Sequence, residues 1–195
     1  MILGFAHITK NVRTELSGDV GIPSAPEKWP LMTRQAKRHR ISMQGGQTGP
    51  TIELVEYDTG APVERWGRLY VVNDNPVVYA QDTFKEAQFF CDGLGFKISG
   101  RGTIELASQM PQWGVCVKIQ HHQHGDADPP LDIAGYAALA FYSSDVEADR
   151  DHLLKHGGRT PTEPFTVELD RKMKIVMLRS PEGTIIELIQ VLPAG

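Results

Sequence analysis

Two carboxylates stand in the middle of predicted strands that are otherwise apolar. Glu187 lies in an Ile-Glu-Leu stretch that follows a predicted tight turn at Ser180–Gly183, and Glu53 lies in a second Ile-Glu-Leu stretch that follows Gly49-Pro50. The two-residue period of a strand gives each carboxylate apolar neighbours on its face, namely Ile185, Ile189 and Val191 for one and Val55 and Tyr57 for the other. A carboxylate among apolar groups must be paired, hydrogen-bonded, protonated or bound to a metal ion. The alternative is that both lie on half-exposed edge strands and are solvated.

His7 occupies a comparable position near the start of the chain. Residues 2–9 alternate well enough to predict a first strand, on which Leu3, Phe5, His7 and Thr9 share a face. A histidine placed in this way is by itself more often a hydrogen-bonded core residue than a metal ligand. The duplicated Ile-Glu-Leu strand nevertheless indicates an internal repeat, so the three residues are treated together as a candidate set.

Composition limits the classes of function. The chain has 195 residues, of which 41% are hydrophobic and 23% charged, which is typical of globular proteins and unlike disordered or membrane proteins. The net charge of -4 argues against nucleic acid as the main partner. A short basic run, Arg34 to Arg40, is interpreted as a solvated helix face in preference to an anion or CoA-type contact. The absence of a signal-like N-terminus or a membrane-length apolar run predicts a cytoplasmic location, and Cys91 and Cys116 are expected to be reduced.

The C-terminal part of the sequence has the clearest organisation. It predicts a strand over 136–143 and a helix from Glu147 to His156, capped by Ser144 or Asp145. Strands over 164–169 and 173–179 then lead into the strand that carries Glu187. This β-α-β-β-β order describes a compact unit that needs a partner to bury its sheet.

The same order is expected, less clearly, in the middle of the chain. A strand at 77–80 precedes a helix from about Thr83 to Leu94, and strands are predicted at 97–99, 103–107 and 114–121. The predicted apolar stripe of that helix is Phe84, Ala87, Phe90, Cys91 and Leu94. The His121–His124 cluster is interpreted as a solvated group in preference to a metal site. Before these elements, residues 11–30 are predicted to form a long loop and 30–40 a short amphipathic helix.

Several of these segments resemble the vicinal oxygen chelate superfamily, which includes glyoxalase I, bleomycin-resistance proteins and extradiol dioxygenases. The resemblance rests on Ala138–Gly158, Leu178–Leu188, Phe84–Phe96 and Gly4–Thr9. It implies an α+β fold in which paired βαβββ modules form an open, cup-shaped barrel. In these terms the chain is expected to contain a truncated N-terminal unit at 1–60 with an inserted arm at 11–40, a middle unit at 69–125 and a C-terminal unit at 131–195.

The resemblance also implies a ligand set. First-strand ligand positions match His7 and Ala138, and fourth-strand positions match Glu53 and Glu187, whereas the middle unit offers only Asn75 and Lys118. A cup built from the outer units would therefore hold a divalent ion on His7, Glu53 and Glu187, with the Ala138 position left for another group or for water. Mn, Fe, Ni, Co and Zn are not distinguished. Whether the units pair within one chain or across a homodimer stays open.

Two functions are compatible with this resemblance. The first is a metal-dependent, glyoxalase-like lyase or isomerase that acts on a small oxygenated molecule through a metal-stabilised enolate or alkoxide. Glu187 or Glu53 would then be a catalytic proton-transfer base, and Tyr57 and Tyr79 would bind substrate. The alternative is a metal-free protein of the bleomycin-resistance type that binds a small molecule or antibiotic in a dimeric groove. Neither function involves nucleic acid or a membrane.

Overall fold

The chain forms two mixed β-sheets with few helices. A computed structural model describes residues 1–13, 21–45, 50–64, 67–100, 102–106, 114–122 and 128–193. The strands in chain order are β1 (Ile2–Asn11), β2 (Ile22–Pro23), β3 (Arg38–Gln44), β4 (Ile52–Tyr57), β5 (Leu69–Val72), β6 (Asn75–Ala80), β7 (Lys97–Gly100), β8 (Thr103–Leu106), β9 (Val115–His121), β10 (Gly135–Ser143), β11 (Phe165–Glu168), β12 (Lys172–Arg179) and β13 (Ile185–Val191). The helices are α1 (Thr83–Gln88) and α2 (Val146–Lys155). None of the helices in the described part is long and apolar enough to cross a membrane.

The larger sheet joins the two ends of the sequence. Its strand order is β11-β12-β13-β10-β1-β4-β3-β2, so each half runs from a first strand through the fourth, third and second strands of its own unit. The halves meet where β1 and β10 pair in antiparallel fashion. The predicted α+β cup of paired modules is therefore confirmed, and it forms within one chain.

The N-terminal half keeps a short second strand within the predicted 11–40 arm. Ile22 and Pro23 pair with His39 and Arg38 at the sheet edge. In place of the repeat's usual helix, residues 21–45 contain a 3₁₀ helix over Pro26–Leu31. Part of the predicted 11–40 arm, residues 14–20, lies outside the described residues.

The amphipathic helix predicted over 30–40 is wrong, and so is the interpretation of its basic residues as a helix face. The 3₁₀ helix ends at Leu31, after Pro30, which has no backbone N–H to donate to a continuing helix. Further on, the Asp58 carboxylate accepts hydrogen bonds from the backbone N–H groups of Lys37 and Arg38, both at 3.1 Å. These bonds turn the backbone into β3, which pairs with β4.

A β-bulge in β1 changes the expected faces of the first strand. The pairing register with β10 shifts between Phe5 and His7. Phe5 consequently packs with Ile8 in the main core, where its ring meets Phe141 edge-on at 5.8 Å between centroids. His7 and Thr9 point to the other side of the sheet. Phe5 therefore does not share the face of His7, because one extra residue reverses the side-chain alternation.

The middle unit forms the second sheet, with strand order β5-β6-β9-β8-β7. Asp82 caps α1 through its carboxylate, and the helix continues as a π-helical turn over Phe89–Gly93. That wider turn buries both Phe89 and Phe90, whereas Phe84 is 78% exposed. Phe84 is thus wrongly placed in the predicted apolar stripe. Residues 123–127, including part of the predicted His121–His124 cluster, lie outside the described residues.

A buried carboxylate joins the middle unit to the C-terminal unit. Glu86 of α1 accepts hydrogen bonds from Ser180 Oγ (2.6 Å), Thr184 Oγ1 (2.9 Å) and the backbone N–H of Glu182 (3.2 Å). In return the Glu182 carboxylate accepts from the backbone N–H groups of Gln81 (2.9 Å) and Asp82 (3.2 Å). The turn that precedes β13 is therefore held by α1.

Candidate metal centre

The three candidate ligands come from three strands near the centre of the larger sheet. The register places His7 opposite Ala140 on β10, and Ala140 in turn beside Glu187 on β13. On the other side of β1, Thr9 lies beside Glu53 on β4. One ligand atom from each of His7, Glu53 and Glu187 lies within 4.8 Å of the others. The predicted set is therefore brought together on the concave side of the cup.

The geometry of this cluster leaves one nitrogen without a hydrogen bond. His7 Nε2 is 3.3 Å from Glu53 Oε2 and 3.7 Å from Glu187 Oε2. This nitrogen is buried and has no hydrogen-bond partner among the residues that the structure describes. Thr9 Oγ1 donates to Glu53 Oε2 at 3.1 Å and so fixes that carboxylate.

Burial and charge act in opposite directions on these groups. Burial lowers the pKa of His7, but the Glu53 and Glu187 carboxylates outweigh burial and raise this pKa to about 10. Burial likewise raises the pKa of Glu53, but the positive charge of His7 outweighs burial, so the pKa of this carboxyl is lowered. Without a metal, an imidazolium therefore supplies the positive charge between the two carboxylates.

These residues fit a divalent cation. Two carboxylates and a neutral imidazole carry two negative charges and offer oxygen and nitrogen donors, which suit Mn, Fe, Co, Ni and Zn. Ligand bonds near 2.1 Å place adjacent donor atoms roughly 3 to 3.5 Å apart, close to the separations of His7 Nε2 from the two carboxylates. The donor set does not identify the metal.

The position matched by Ala138 lies in an apolar part of the cup. Ala138 is 0% exposed and belongs to a buried apolar cluster with Leu31, Leu131 and Met177. Leu131 and Leu31 are joined by a backbone hydrogen bond of 2.6 Å. Apolar side chains therefore surround Ala138 at that end of the cup, and the expected fourth position stays a prediction.

A cavity of about 720 Å³ opens from the other side of the cluster. His7, Glu53 and Glu187 all line it, together with Lys28 from the 3₁₀ helix and His39 from β3. Sequence reasoning missed these last two residues. His39 lies on the same strand face as Ile41 and Met43. A prediction that began this strand at residue 38 would have placed His39 on the cavity side. Lys28 has no such signal in the sequence.

His39 differs from His7 in its electrostatic surroundings. Burial, followed by the positive charge of Lys28, lowers the pKa of His39 to about 4, despite the opposing effects of Glu53 and Asp58. Its Nδ1 atom has no hydrogen-bond partner in the described ranges. His39 is therefore a neutral group of the cavity wall at neutral pH.

The two predicted substrate-binding tyrosines lie in different sheets. Tyr57 is buried on β4 and lines a small cavity that also contacts Glu53, His39 and Glu187. Tyr79 lies on β6 of the second sheet, where its ring meets Tyr70 at 5.3 Å and His122 at 5.2 Å between centroids. The structure therefore brings Tyr57, and not Tyr79, to the cluster.

One family model and several solved structures are similar to this chain. A family model described as the Glyoxalase/Bleomycin resistance protein/Dioxygenase superfamily matches residues 73–188. A search of curated proteins gave no match. Among solved structures, a mutant of glyoxalase I from Zea mays is 14% identical, with a TM-score of 0.46, over 96% of this chain and 68% of that chain.

Two further solved structures are similar at the same level. A putative dioxygenase from Bacillus subtilis is 13% identical, with a TM-score of 0.44, over 99% of this chain and 64% of that chain. An integron cassette protein from the V. cholerae mobile metagenome is 21% identical, with a TM-score of 0.42, over 58% of this chain and 90% of that chain. Because the family model covers more than half of the sequence, the chain belongs to the glyoxalase/bleomycin resistance protein/dioxygenase superfamily.

Proposed function

We propose that this chain is a metal-dependent, glyoxalase-like enzyme of the lyase or isomerase type that acts on a small oxygenated molecule. His7, Glu53 and Glu187 would hold one divalent cation. The observation that carries the proposal is the buried His7 Nε2, which has no hydrogen bond among described residues and faces two carboxylates beside an open cavity. A buried nitrogen in this setting is costly unless it binds a proton or a metal ion.

The protein groups have separable roles in this proposal. When bound, a divalent cation supplies positive charge that stabilises a negatively charged substrate oxygen. Glu53 is anchored by Thr9 and lies closer to His7, so we assign it to holding the cation. Glu187 lies farther from His7 and lines the cavity, so we assign to it, in addition to its place among the ligands, the role of accepting a proton from the substrate. Tyr57, beside Glu53, is assigned to orienting the bound molecule.

The second candidate function is metal-free binding of a small molecule or antibiotic, as in bleomycin-resistance proteins. It is favoured by Ala138, which replaces one ligand of the family's expected set. The raised pKa of His7 also favours this function. Burial lowers that pKa, but the charges of Glu53 and Glu187 outweigh burial. An imidazolium can then balance the carboxylates without a metal.

Metal analysis separates these candidates. The protein would be purified without a chelating tag, and its metal content measured by mass spectrometry before and after exposure to Mn²⁺, Fe²⁺, Co²⁺, Ni²⁺ and Zn²⁺. The proposal expects one ion per chain in the wild type and its loss in His7→Ala and Glu187→Gln. The matched variants His152→Ala and Glu147→Gln change exposed residues and should retain the ion.

A wild type that stays metal-free after reconstitution would overturn the metalloenzyme and favour the binding protein. Proton transfer would be tested separately on the metal-loaded protein, by NMR detection of hydrogen exchange into small α-hydroxy ketones in D₂O. Loss of metal-dependent exchange in Glu187→Asp, with the metal retained, would support the assigned base. Unchanged exchange in that variant would refute the assignment.

The remaining expectations are also proposals. We propose that the units at 1–60, 69–125 and 131–195 derive from one repeated βαβββ module, and that the protein is a cytoplasmic homodimer. Analytical ultracentrifugation of the metal-loaded chain tests the oligomeric state.

A further inference from the structure

The cavity has one apolar wall, built by regular pairing of three C-terminal strands. Val167 pairs with Met173, and Met173 pairs with Val191. One step nearer the metal centre, Ile175 pairs with Ile189, and the next step pairs Met177 with Glu187. Every second residue of a strand faces the same side, so these steps form an aliphatic surface that ends at a candidate metal ligand. From Glu187 to Val191 it extends roughly 13 Å along the strand.

The opposite end of the cup is closed. Asn11 Nδ2 donates to the backbone carbonyls of Leu131 (2.6 Å) and Ile133 (2.7 Å), which holds this loop against β1. Asp132, in the same loop, accepts hydrogen bonds from the backbone N–H and the hydroxyl of Thr33. In the part of the chain that the structure describes, the cavity therefore gives access to the metal centre from the Val191 side.

The opening of the cavity on that side is surrounded by exposed apolar side chains. Leu3 (43%), Met43 (54%), Leu169 (43%) and Val191 (42%) are exposed and all line the cavity. They are half of the exposed large hydrophobic side chains of the described chain, and they gather at one opening. Exposed apolar patches of this kind mark sites where a ligand or partner is bound.

Charged groups occupy the other borders of the cavity. Lys28 lies on the N-terminal side, with Nζ above the Phe165 ring at 5.3 Å from its centroid. Asp170 and Arg171 lie exposed at the outer rim. The wall from Val191 to Ile189 therefore forms an apolar surface that leads towards the candidate metal centre.

We infer that the substrate is amphipathic, with an oxygen-bearing head at His7, Glu53 and Glu187 and an extended apolar body along β11–β13. This inference rests on the proposed function for the role of the head. The wall selects the length and apolarity of the body because burial of each methylene against it is favourable. Met173 and Val191 determine that selection.

Binding of paired probes tests the inference. Acetohydroxamic acid and octanohydroxamic acid share one metal-chelating head and differ in their apolar body. Titration calorimetry of the Mn²⁺-loaded protein should give at least tenfold tighter binding of octanohydroxamic acid. Met173→Gln and Val191→Asp should reduce that preference at least fivefold and leave acetohydroxamic acid unchanged. Ile98→Asp, at a more exposed apolar site in the other sheet, should change neither.

Three results would overturn the inference. The first is equal affinity for both hydroxamic acids in a protein that binds Mn²⁺, which would leave the metal-dependent function intact. The second is a preference for octanohydroxamic acid that both wall variants retain. The third is dissociation of a dimer by Val191→Asp without any loss of binding, which would make the mouth an interface between copies of the chain.

Failure of the metal-dependent function gives a different pattern. If the wild type binds no metal, octanamide and acetamide would replace the hydroxamic acids, with binding followed by NMR shifts. At least tenfold tighter binding of octanamide, lost in Met173→Gln, would then support the apolar wall, and equal binding of the two amides would refute it.

Discussion

Buried carboxylates occur both at the junction between units and in the cup, and their surroundings differ. Glu86 is wholly buried and accepts hydrogen bonds from two hydroxyls and a backbone N–H of the turn before β13. Glu53 and Glu187 face a buried imidazole nitrogen that lacks a hydrogen bond among the described residues, beside a cavity. The first arrangement is complete within the protein, and the second is not.

The difference indicates what each carboxylate does. Polar groups in a protein core are satisfied internally when their role is structural. A polar cluster that lacks hydrogen-bond partners and lies next to a cavity is typical of a ligand-binding site. We therefore propose that Glu86 contributes to stability and that the cup cluster binds a ligand, and mutations should separate these two roles.

The largest expected effect is at the junction. Glu86→Ala leaves Ser180 Oγ, Thr184 Oγ1 and a backbone N–H buried without their acceptor, which should lower the free energy of unfolding by about 3 to 5 kcal/mol. Denaturant unfolding of the metal-free protein measures this change. Glu105→Ala, at an exposed position, is the control. A decrease in the free energy of unfolding of less than about 1 kcal/mol, the size of one ordinary hydrogen bond, would contradict the structural role of Glu86.

The cup cluster should respond instead to metal. At a free metal concentration about 100 times the dissociation constant, binding should raise the free energy of unfolding of the wild type by about 2.7 kcal/mol. His7→Ala should show no such gain because one ligand is missing. The measurement is unfolding with and without Mn²⁺. A gain of equal size in His7→Ala would show that the ion binds elsewhere.

His39 should make the protein sensitive to acid. Its pKa falls from 6.5 to about 4 on folding, first through burial and then through Lys28, so the unfolded chain binds the proton more readily. This contribution to stability is present above pH 6.5 and is lost as the pH falls toward 4, amounting to about 2 to 3 kcal/mol. The free energy of unfolding of the metal-free protein would be measured at about pH 7 and about pH 4.5. These two values span most of the His39 titration, so their difference tests this contribution. His39→Gln should have a smaller pH dependence, whereas an unchanged dependence would contradict the assignment.

The smallest effect is expected at Thr9, which fixes Glu53 without contacting the cation directly. Thr9→Val removes the hydrogen bond to Glu53 Oε2 and should weaken metal binding about tenfold. Thr9→Ser keeps the hydroxyl and is the matched control in the same calorimetric titration. Equal metal affinities in the two variants would show that the Thr9 hydroxyl does not position Glu53 for metal binding.

Much of the candidate site could be predicted from local pattern. Strand periodicity placed Glu53 and Glu187 inward, and the caps and glycines of the C-terminal unit indicated α2 between its strands. The resemblance to a repeated module supplied the expectation that His7 joins them. These features depend on residues close in sequence, which is why the sequence alone contained them.

Other features depend on contacts between distant segments. The bulge after Phe5 arises in the pairing of β1 with β10 and reverses the expected face of that residue. The Ala138 end is closed by Leu31, from an arm in which the sequence predicted a helix. Glu86 looks like an ordinary surface residue of a helix until the Ser180–Thr184 turn covers it.

The sequence by itself therefore determined the order of the C-terminal unit and the inward positions of Glu53 and Glu187, and the family resemblance added His7. Only the tertiary structure decided that β1 pairs with β10 in the same chain, which end of the cup is closed and which carboxylate is satisfied. The physical reason is that side-chain alternation is a local property of a strand. Pairing and burial are set by partners that lie far away in the sequence.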